Sequence, residues 1–332
     1  AARPPPLRDG RAVLRSRTLG ARVEVVHAHG LRAGALAVVG ARLRGRARQA
    51  VVVTLHNALV GGGAVAVVHA VLERVVARGA DTVLVVSADL GARQTALGAR
   101  GVRRALVPAP PAGEPAADPA RVREGLGAGD DVRLLVTVAR LAPQKGLGLL
   151  ADALELLSTE RAEEHLLAVV AGDGPLHDAL AADASRRGLP LRLLGRREDA
   201  QDLLAAADVV VLPSVWEGQP LVAQEALRVG APLVATDAGG TAEVTGDAAL
   251  LVSYGDPRAL ADAVAGLLDD PRRAAELRRR ARARAAELPS DADVVAQLTA
   301  VYAEARRGRA GGGVAGGDRT GPLAGEPVPP NG

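Results

Sequence analysis

Two carboxylates, Glu217 and Glu225, stand eight residues apart in the stretch Leu212-Pro213-Ser214-Val215-Trp216-Glu217-Gly218-Gln219-Pro220-Leu221-Val222-Ala223-Gln224-Glu225-Ala226. Each ionised carboxylate accepts two hydroxyl donors, which is what the vicinal hydroxyls of a ribose or hexose present. The stretch reads as a buried strand, a loop, and a helix entering near Leu221. The free backbone N–H groups of Leu221 and Val222 would then point in front of that helix, and Gly218, Gln219 and Pro220 form a loop whose backbone can approach a phosphate or sugar oxygen closely. The plainer reading makes both acids surface residues near a positive helix end, worth roughly a few tenths of a kcal/mol each.

A second strand, loop and helix pattern runs from Val136 to Gly146 and carries Arg140 and Lys145, the latter the only lysine in the chain. A pyrophosphate is well held by such a pair, Arg as a planar fork and Lys as a point charge. In a chain that uses Arg almost everywhere else, one retained Lys favours a chemical role over a solvated cation. Ala171-Gly172-Asp173-Gly174-Pro175 is a third turn of this kind and Asp237 to Glu243 a fourth; glycines such as Gly172 and Gly174 serve a tight turn as readily as a ligand. His29 and His56 follow the strands expected to end at Val26 and Leu55, and His56 is the stronger candidate. His27, His69, His165 and His177 fit structural positions and receive no role.

The elements that must position these residues are legible as a run of βα units. Short apolar runs at Val23 to Val26, Val51 to Leu55 and Thr82 to Val86 alternate with Ala/Leu/Arg stretches of helical period. Five prolines between Val107 and Pro119 then mark a linker over 108–120. The alternation restarts with strands at Leu134 to Val138, Leu166 to Val170, Leu191 to Leu194, Val209 to Leu212, Leu233 to Ala235 and Leu250 to Val252. Near-continuous apolar strands are expected where helices cover both faces of a parallel sheet. The reading is α/β, with two doubly wound Rossmann-like domains, 1–107 and 121–290, followed by a helix over 291–306 that packs back on the first domain and a disordered tail over 307–332. In open α/β sheets ligands bind beyond the carboxyl ends of the strands, where all four turns fall.

Composition narrows the classes. Residues are 48% hydrophobic but 1% aromatic, without Phe, Met, Cys or Ile, so Ala, Val and Leu must build the core. Absence of Cys excludes disulfides, thiolate nucleophiles and Cys-based metal sites, and is compatible with a cytoplasmic location. A net charge of +3 does not suit a nucleic-acid binder, although residues 1–48 hold eleven Arg against Asp9 and Glu24, which suits peripheral contact with anionic lipid at the inner membrane face. No run is long and apolar enough to span a bilayer. Asp291-Ala292-Asp293 reads as a helix cap rather than a metal motif, and there is no Walker loop, Gly-x-Ser-x-Gly elbow, His-Glu-x-x-His site or Gly-x-Gly-x-x-Gly fingerprint.

With these residues in view, the chain resembles the GT-B-fold retaining glycosyltransferases known as family 4, or glycosyl transferases group 1, from Val23 to about Tyr302. The resemblance is carried by Glu217-x7-Glu225 within its Pro-Ser-x-x-Glu-Gly-x-Pro-Leu-Val-x-x-Glu-Ala setting, by Arg140 to Gly146, by Gly172 to Pro175 and by Gly239 to Glu243. It implies a GT-B fold whose two domains face a cleft and an enzyme that moves a sugar from a nucleotide-diphosphate sugar, a co-substrate, to a hydroxyl acceptor on a glycan, lipid or small molecule, with no cofactor and no metal. It further implies that Arg140 and Lys145 hold the diphosphate with the N–H groups near Leu221 and Val222, that Glu225 grips the ribose, and that Glu217 and His56 face the transferred sugar. Members of the family begin with a strand and a Gly-rich loop not seen ahead of Val23, so an N-terminally incomplete chain is expected, and a non-catalytic relative that captures nucleotide sugar is the alternative.

Overall fold

The computed structural model describes residues 23–43, 49–58, 62–110 and 115–310. Most of the Arg-rich N-terminal stretch, and residues 311–332 of the expected tail, lie outside the described residues.

Four strands form the first sheet: β1 (Val25–His29), β2 (Ala50–Leu55), β3 (Thr82–Val85) and β4 (Val102–Arg104). They pair in parallel in the order of the chain. Between them run α1 (Leu31–Arg42), α2 (Ala64–Gly79) and α3 (Ala88–Ala96). β1 lies later than the expected Val23 to Val26, because its ladder with β2 continues until His29 stands opposite Thr54. Both His27 and His29 are therefore strand residues. β4 has no counterpart in the sequence reading: three residues, two of them Arg, carry no apolar run.

The second domain opens with α4 (Pro119–Gly125), where Asp118 caps Ala120 N–H and Pro119 takes the first helical position. Its sheet contains β5 (Val132–Val138), β6 (His165–Ala171), β7 (Leu191–Gly195), β8 (Val209–Leu212), β9 (Leu233–Thr236) and β10 (Leu250–Val252). The parallel order is β10-β9-β8-β5-β6-β7. The chain winds outward from β5 to β7, returns to lay β8 on the other side of β5, and winds outward again. The crevice between β5 and β8 is thus the topological switch point.

Successive residues of a strand face opposite sides, and β5 shows the consequence. Leu135 joins a core with α5 (Leu147–Glu160), α6 (His177–Arg187) and α10 (Pro257–Asp269). Leu134 and Val136 join the opposite core with α7 (Ala200–Ala206), α8 (Leu221–Val229) and Ala281 of α11 (Pro271–Ala286). Nearly every member of both is Ala, Val or Leu. A short helix α9 (Thr241–Thr245) follows β9.

The last helix, α12 (Asp291–Ala310), begins with a reciprocal cap in which Ser290 N–H and hydroxyl both donate to Asp293, and it extends four residues beyond the expected 306. Arg306 and Arg307 near its carboxyl end complement the helix dipole. α12 covers β1 and β2. Gly34 of α1 lies against Val53, whereas Tyr302 of α12 meets side chains of the other face: its hydroxyl bonds His27 Nδ1 at 2.7 Å, and His27 Nε2 bonds Thr54 Oγ1 at 2.7 Å. The two helices therefore cover opposite faces of the first sheet.

Burial, reinforced by the neighbouring His29 and His56, lowers the His27 imidazole to a pKa of about 4. An unfolded His titrates near ~6.5, so between those values the unfolded chain binds the extra proton and stability must fall as pH falls. The urea midpoint is expected to drop from pH 6.5 toward pH 4 more steeply in the wild type than in His27→Gln, which keeps polar partners for Tyr302 and Thr54 but does not titrate. Parallel pH profiles for the two proteins would refute this.

Candidate functional site

A cavity of about 550 Å³ opens at the switch point, lined by the loops that follow β5, β6, β7 and β8 together with the start of α8. Of the residues singled out in the sequence, Arg140, Lys145, Gly172, Glu217, Gln219, Pro220, Leu221 and Val222 line it. His56, Gly174, Gly218 and Glu225 are not among its lining residues, and each has its own placement.

Lys145 Nζ donates to Glu217 Oε1 at 2.5 Å, and Ser214 Oγ donates to the same oxygen at 2.6 Å. The pair bridges the β5 and β8 loops, which are also joined by Val215 N–H to the Gln144 carbonyl and by Gln144 Nε2 to the Trp216 carbonyl, both at 2.9 Å. Arg140 is exposed in the cavity and makes no hydrogen bond or ion pair among the described residues; Arg196 is likewise unpartnered there, while Arg197 is paired with Asp199. Opposite them, α8 starts at Leu221 with no side-chain cap, so its first N–H groups are free. Three cations besides the paired Lys145, and an open helix start, are chemistry that suits an anion.

Glu225 sits one turn into α8. Among the described residues its carboxylate makes no hydrogen bond or salt bridge, and burial raises its pKa above the usual carboxylate range, only partly offset by Arg228. A half-buried acid left without donors by its own protein is a ready acceptor for a ligand's hydroxyls.

Loops meet here at distances only Gly allows. A Cβ on Gly172 would fall 1.9 Å from the Ala139 carbonyl oxygen, and one on Gly174 2.4 Å from that of Leu141. These two glycines clasp the β6 loop to the β5 loop, and Gly174 acts through that packing rather than at the cavity wall. Gly218 faces the other way: its Cβ would fall 2.4 Å from Val86 Cγ2 and 3.2 Å from the His56 carbonyl oxygen, both in the first domain. The Gln219 side chain is also spent on the first domain and linker, accepting from Val107 N–H at 3.0 Å and donating to the carbonyls of Val86 and Ala105. Gln224 holds Ala109 N–H and the Val107 carbonyl, both at 2.8 Å, so the start of the Pro-rich linker is stitched to α8.

In the first domain, His56 Nε2 lies 3.1 Å from His29 Nδ1, and burial, then His29, lowers its pKa. The rings of His27, His29 and His56 follow one another at centroid separations of 4.3 and 5.3 Å. They stand in file rather than around a common point. His27, given no role from sequence, thus ties the file to α12.

Sequence reasoning gave no role to Ser214 or Asp173, which line the cavity, although each lies just past a strand at the carboxyl edge, which was the available signal. It also passed over Trp216, the only Trp in the chain, whose indole N–H donates to Asp89 Oδ2 in the first domain at 2.8 Å.

Comparison with known proteins finds relatives for both domains. Residues 132–270 match the family model described as "Glycosyl transferases group 1", and residues 1–110 match that described as "Glycosyl transferase 4-like domain". The chain is 33% identical over 262 residues to a GDP-mannose-dependent alpha-(1-6)-phosphatidylinositol monomannoside mannosyltransferase of Mycolicibacterium smegmatis, covering 74% of this chain and 68% of that one. It is 36% identical over 144 residues to TuaC of Bacillus subtilis, a putative teichuronic acid biosynthesis glycosyltransferase, covering 43% of this chain and 35% of that one. Against several curated relatives the chain spans less than half of their length, as with TuaC and the 46% of a D-inositol 3-phosphate glycosyltransferase of Thermobispora bispora. Among solved structures, that of Anabaena HepE in complex with UDP superposes with a TM-score of 0.75 at 23% identity, covering 88% of this chain and 82% of that one; this likeness is one of fold.

The loop clasp makes a direct prediction. Gly172→Ala should lower the unfolding free energy by more than about 1 kcal/mol, since its Cβ meets backbone that cannot rotate away. Gly148→Ala, in α5 with nothing within 4 Å of the added Cβ, should be neutral or stabilising. Equal urea midpoints for the two variants would contradict the clasp.

Proposed function

This chain belongs to the glycosyl transferases group 1 family, and we propose that it moves a sugar from a nucleotide-diphosphate sugar held in the second domain to a hydroxyl acceptor presented by the first, with retention at the transferred carbon. The observation that carries this reading is the unpartnered Arg140 beside Lys145 at the switch point, facing the uncapped start of α8 with Glu217 between.

Arg140 and Lys145 take the diphosphate, with the N–H groups of Leu221 and Val222 on its other side. A diphosphate arriving there competes with Glu217 for the Lys145 ammonium, which frees the Glu217 carboxylate to accept hydroxyls of the transferred sugar. Glu225 accepts the ribose hydroxyls, compensating its desolvated and otherwise unbonded state. As the sugar leaves, charge grows on the diphosphate, where the two cations already stand, so catalysis is chiefly positioning and electrostatic stabilisation. The acceptor attacks from the face the diphosphate departs, and that diphosphate takes the acceptor proton. Such a step uses no carboxylate nucleophile, and His56 lies on the acceptor side with its backbone against Gly218. Relatives differ in donor: HepE has been solved with UDP-glucose, and the Mycolicibacterium relative is named as GDP-mannose-dependent. Both nucleotides therefore belong in the first screen.

Calorimetry of the purified chain against UDP, GDP and ADP should show binding of one of them, abolished by Glu225→Ala and by Lys145→Ala. Lys145→Ala should in addition slow transfer by about 10²-fold. Binding without any turnover would point instead to a nucleotide-sugar-capturing relative, and no heat with any nucleotide would sink the donor-site reading. We further place the protein in the cytoplasm, in peripheral contact with the membrane through the Arg-rich residues 1–48; co-sedimentation with anionic but not zwitterionic vesicles, lost at high salt, tests that contact.

A further inference from the structure

Trp216 immediately precedes Glu217, yet its side chain leaves the second domain. It is buried, at 8% exposure, in the hydrophobic core of the first domain alongside Val86 and Leu90, and among the described residues it alone of the second domain's loops enters that core. Its indole N–H bonds Asp89 Oδ2 at 2.8 Å, and the other oxygen of Asp89 accepts from the Ser87 hydroxyl at the start of α3. Its carbonyl accepts from Gln144 Nε2, the side chain next to Lys145. One residue therefore touches Asp89 in the first domain and the Lys145 loop in the second, and is bonded in sequence to the carboxylate between them.

A second tether runs beside it. The Glu217 carbonyl accepts from Gly240 N–H, α9 begins at the next residue, and Glu243 of α9 accepts from Ala88 N–H at 2.7 Å while ion-paired with Arg104. Both tethers end on the same turn, Ser87 to Asp89. Gly239 makes room for the first, since a Cβ there would fall 2.7 Å from Trp216 Nε1.

Resting on the donor-site reading above, we propose that Trp216 is a positioning residue: its indole bond to Asp89 holds Glu217 and the Lys145 loop in register with the first domain, so that a sugar held on the second domain meets groups presented by the first. A buried Trp that merely filled space would leave turnover insensitive to the N–H bond. A misplacement on the order of 1 Å between reacting partners costs about 10²-fold in rate, so loss of a single register-setting bond is expected to appear in kcat while nucleotide binding, which uses second-domain groups alone, is spared.

Trp216→Phe keeps a ring in the first-domain core and removes the donor; Asp89→Ala removes the acceptor; Asp89→Asn retains an acceptor oxygen. Nucleotide affinity is measured by calorimetry with UDP, GDP and ADP, and turnover by hydrolysis of UDP-glucose, GDP-mannose and ADP-glucose, with water as acceptor. Nucleotide Kd is expected to stay within about twofold in all three variants, kcat to fall about tenfold in Trp216→Phe and Asp89→Ala, the double variant to be no slower than either single one, and Asp89→Asn to restore most of the rate. Since Trp216 is the only Trp, its emission should also shift when nucleotide binds the wild type, and the shift should shrink in Asp89→Ala. If Trp216→Phe fails to fold, the two Asp89 variants carry the test. Unchanged kcat in Asp89→Ala, a loss confined to Kd or KM, or additive losses in the double variant would overturn the proposal. A wild type that binds none of the nucleotides would overturn it together with the donor reading, whereas binding with insensitive variants overturns it alone.

Discussion

Backbone meeting backbone, with no space for a Cβ between, is the constraint on which the site depends. In a parallel sheet every strand delivers its loop to the same edge, and in the second domain the loops after β5, β6, β8 and β9 crowd together there. They solve the crowding with Gly. A Cβ on Gly146 would fall 1.9 Å from the Pro213 carbonyl oxygen, on Gly239 2.0 Å from that of Glu217, and on Gly240 1.9 Å from that of Gly218. Tight loop packing over a rigid sheet holds Arg140, Lys145 and Glu217 in place without a long-range scaffold of their own, which is the arrangement a preorganised site needs.

These same loops have a second side. While Ser214, Glu217 and Pro220 face the cavity, Trp216 and Gly218 from the same turn face the first domain, and Gln219 lines the cavity while its amide reaches the first domain. Interdomain contact and ligand contact thus alternate along seven residues. The seam is polar as well as packed: burial, with Arg284 adding to it, lowers the Arg104 pKa, and Glu243 compensates that cation directly. A half-buried charge loses compensation if its partner moves, so the seam favours a defined angle between the domains. The linker adds to this through Gln219, Gln224 and Arg228, which occupy backbone groups from Ala105 to Pro110.

In the cavity and on the helix beside it, the balance of charge suits one class of ligand. Among the described residues Arg140 and Arg196 have no partner, and Lys145 has one that a polyanion can displace. Glu225 is in the converse state, an acid without donors. The exposed arginines stay hydrated in the empty protein while half-buried Glu225 is desolvated without a donor, and both kinds of group gain partners when a ligand carries phosphate at one end and hydroxyls at the other. That is the electrostatic outline of a nucleotide-diphosphate sugar.

Much of this was legible in the sequence, for a local reason. Apolar runs such as Val209 to Leu212 and Leu233 to Ala235 can only be buried strands, and a residue just after such a strand must emerge at the carboxyl edge, so Arg140, Lys145 and Glu217 could be assigned to one crevice before any coordinates. β4 was not legible, because Val102-Arg103-Arg104 gains its strand identity from pairing with β3 and not from its own pattern. The end of β1 was misplaced for the same reason, its last residues being set by the ladder to β2. Tertiary structure alone decided which side of a loop each residue faces. Sequence spacing cannot tell that Gly218 packs on Val86, that the Gln219 amide serves the linker, or that the sole Trp crosses into the other domain, since each of those partners lies more than a hundred residues away and is chosen by how two finished domains meet.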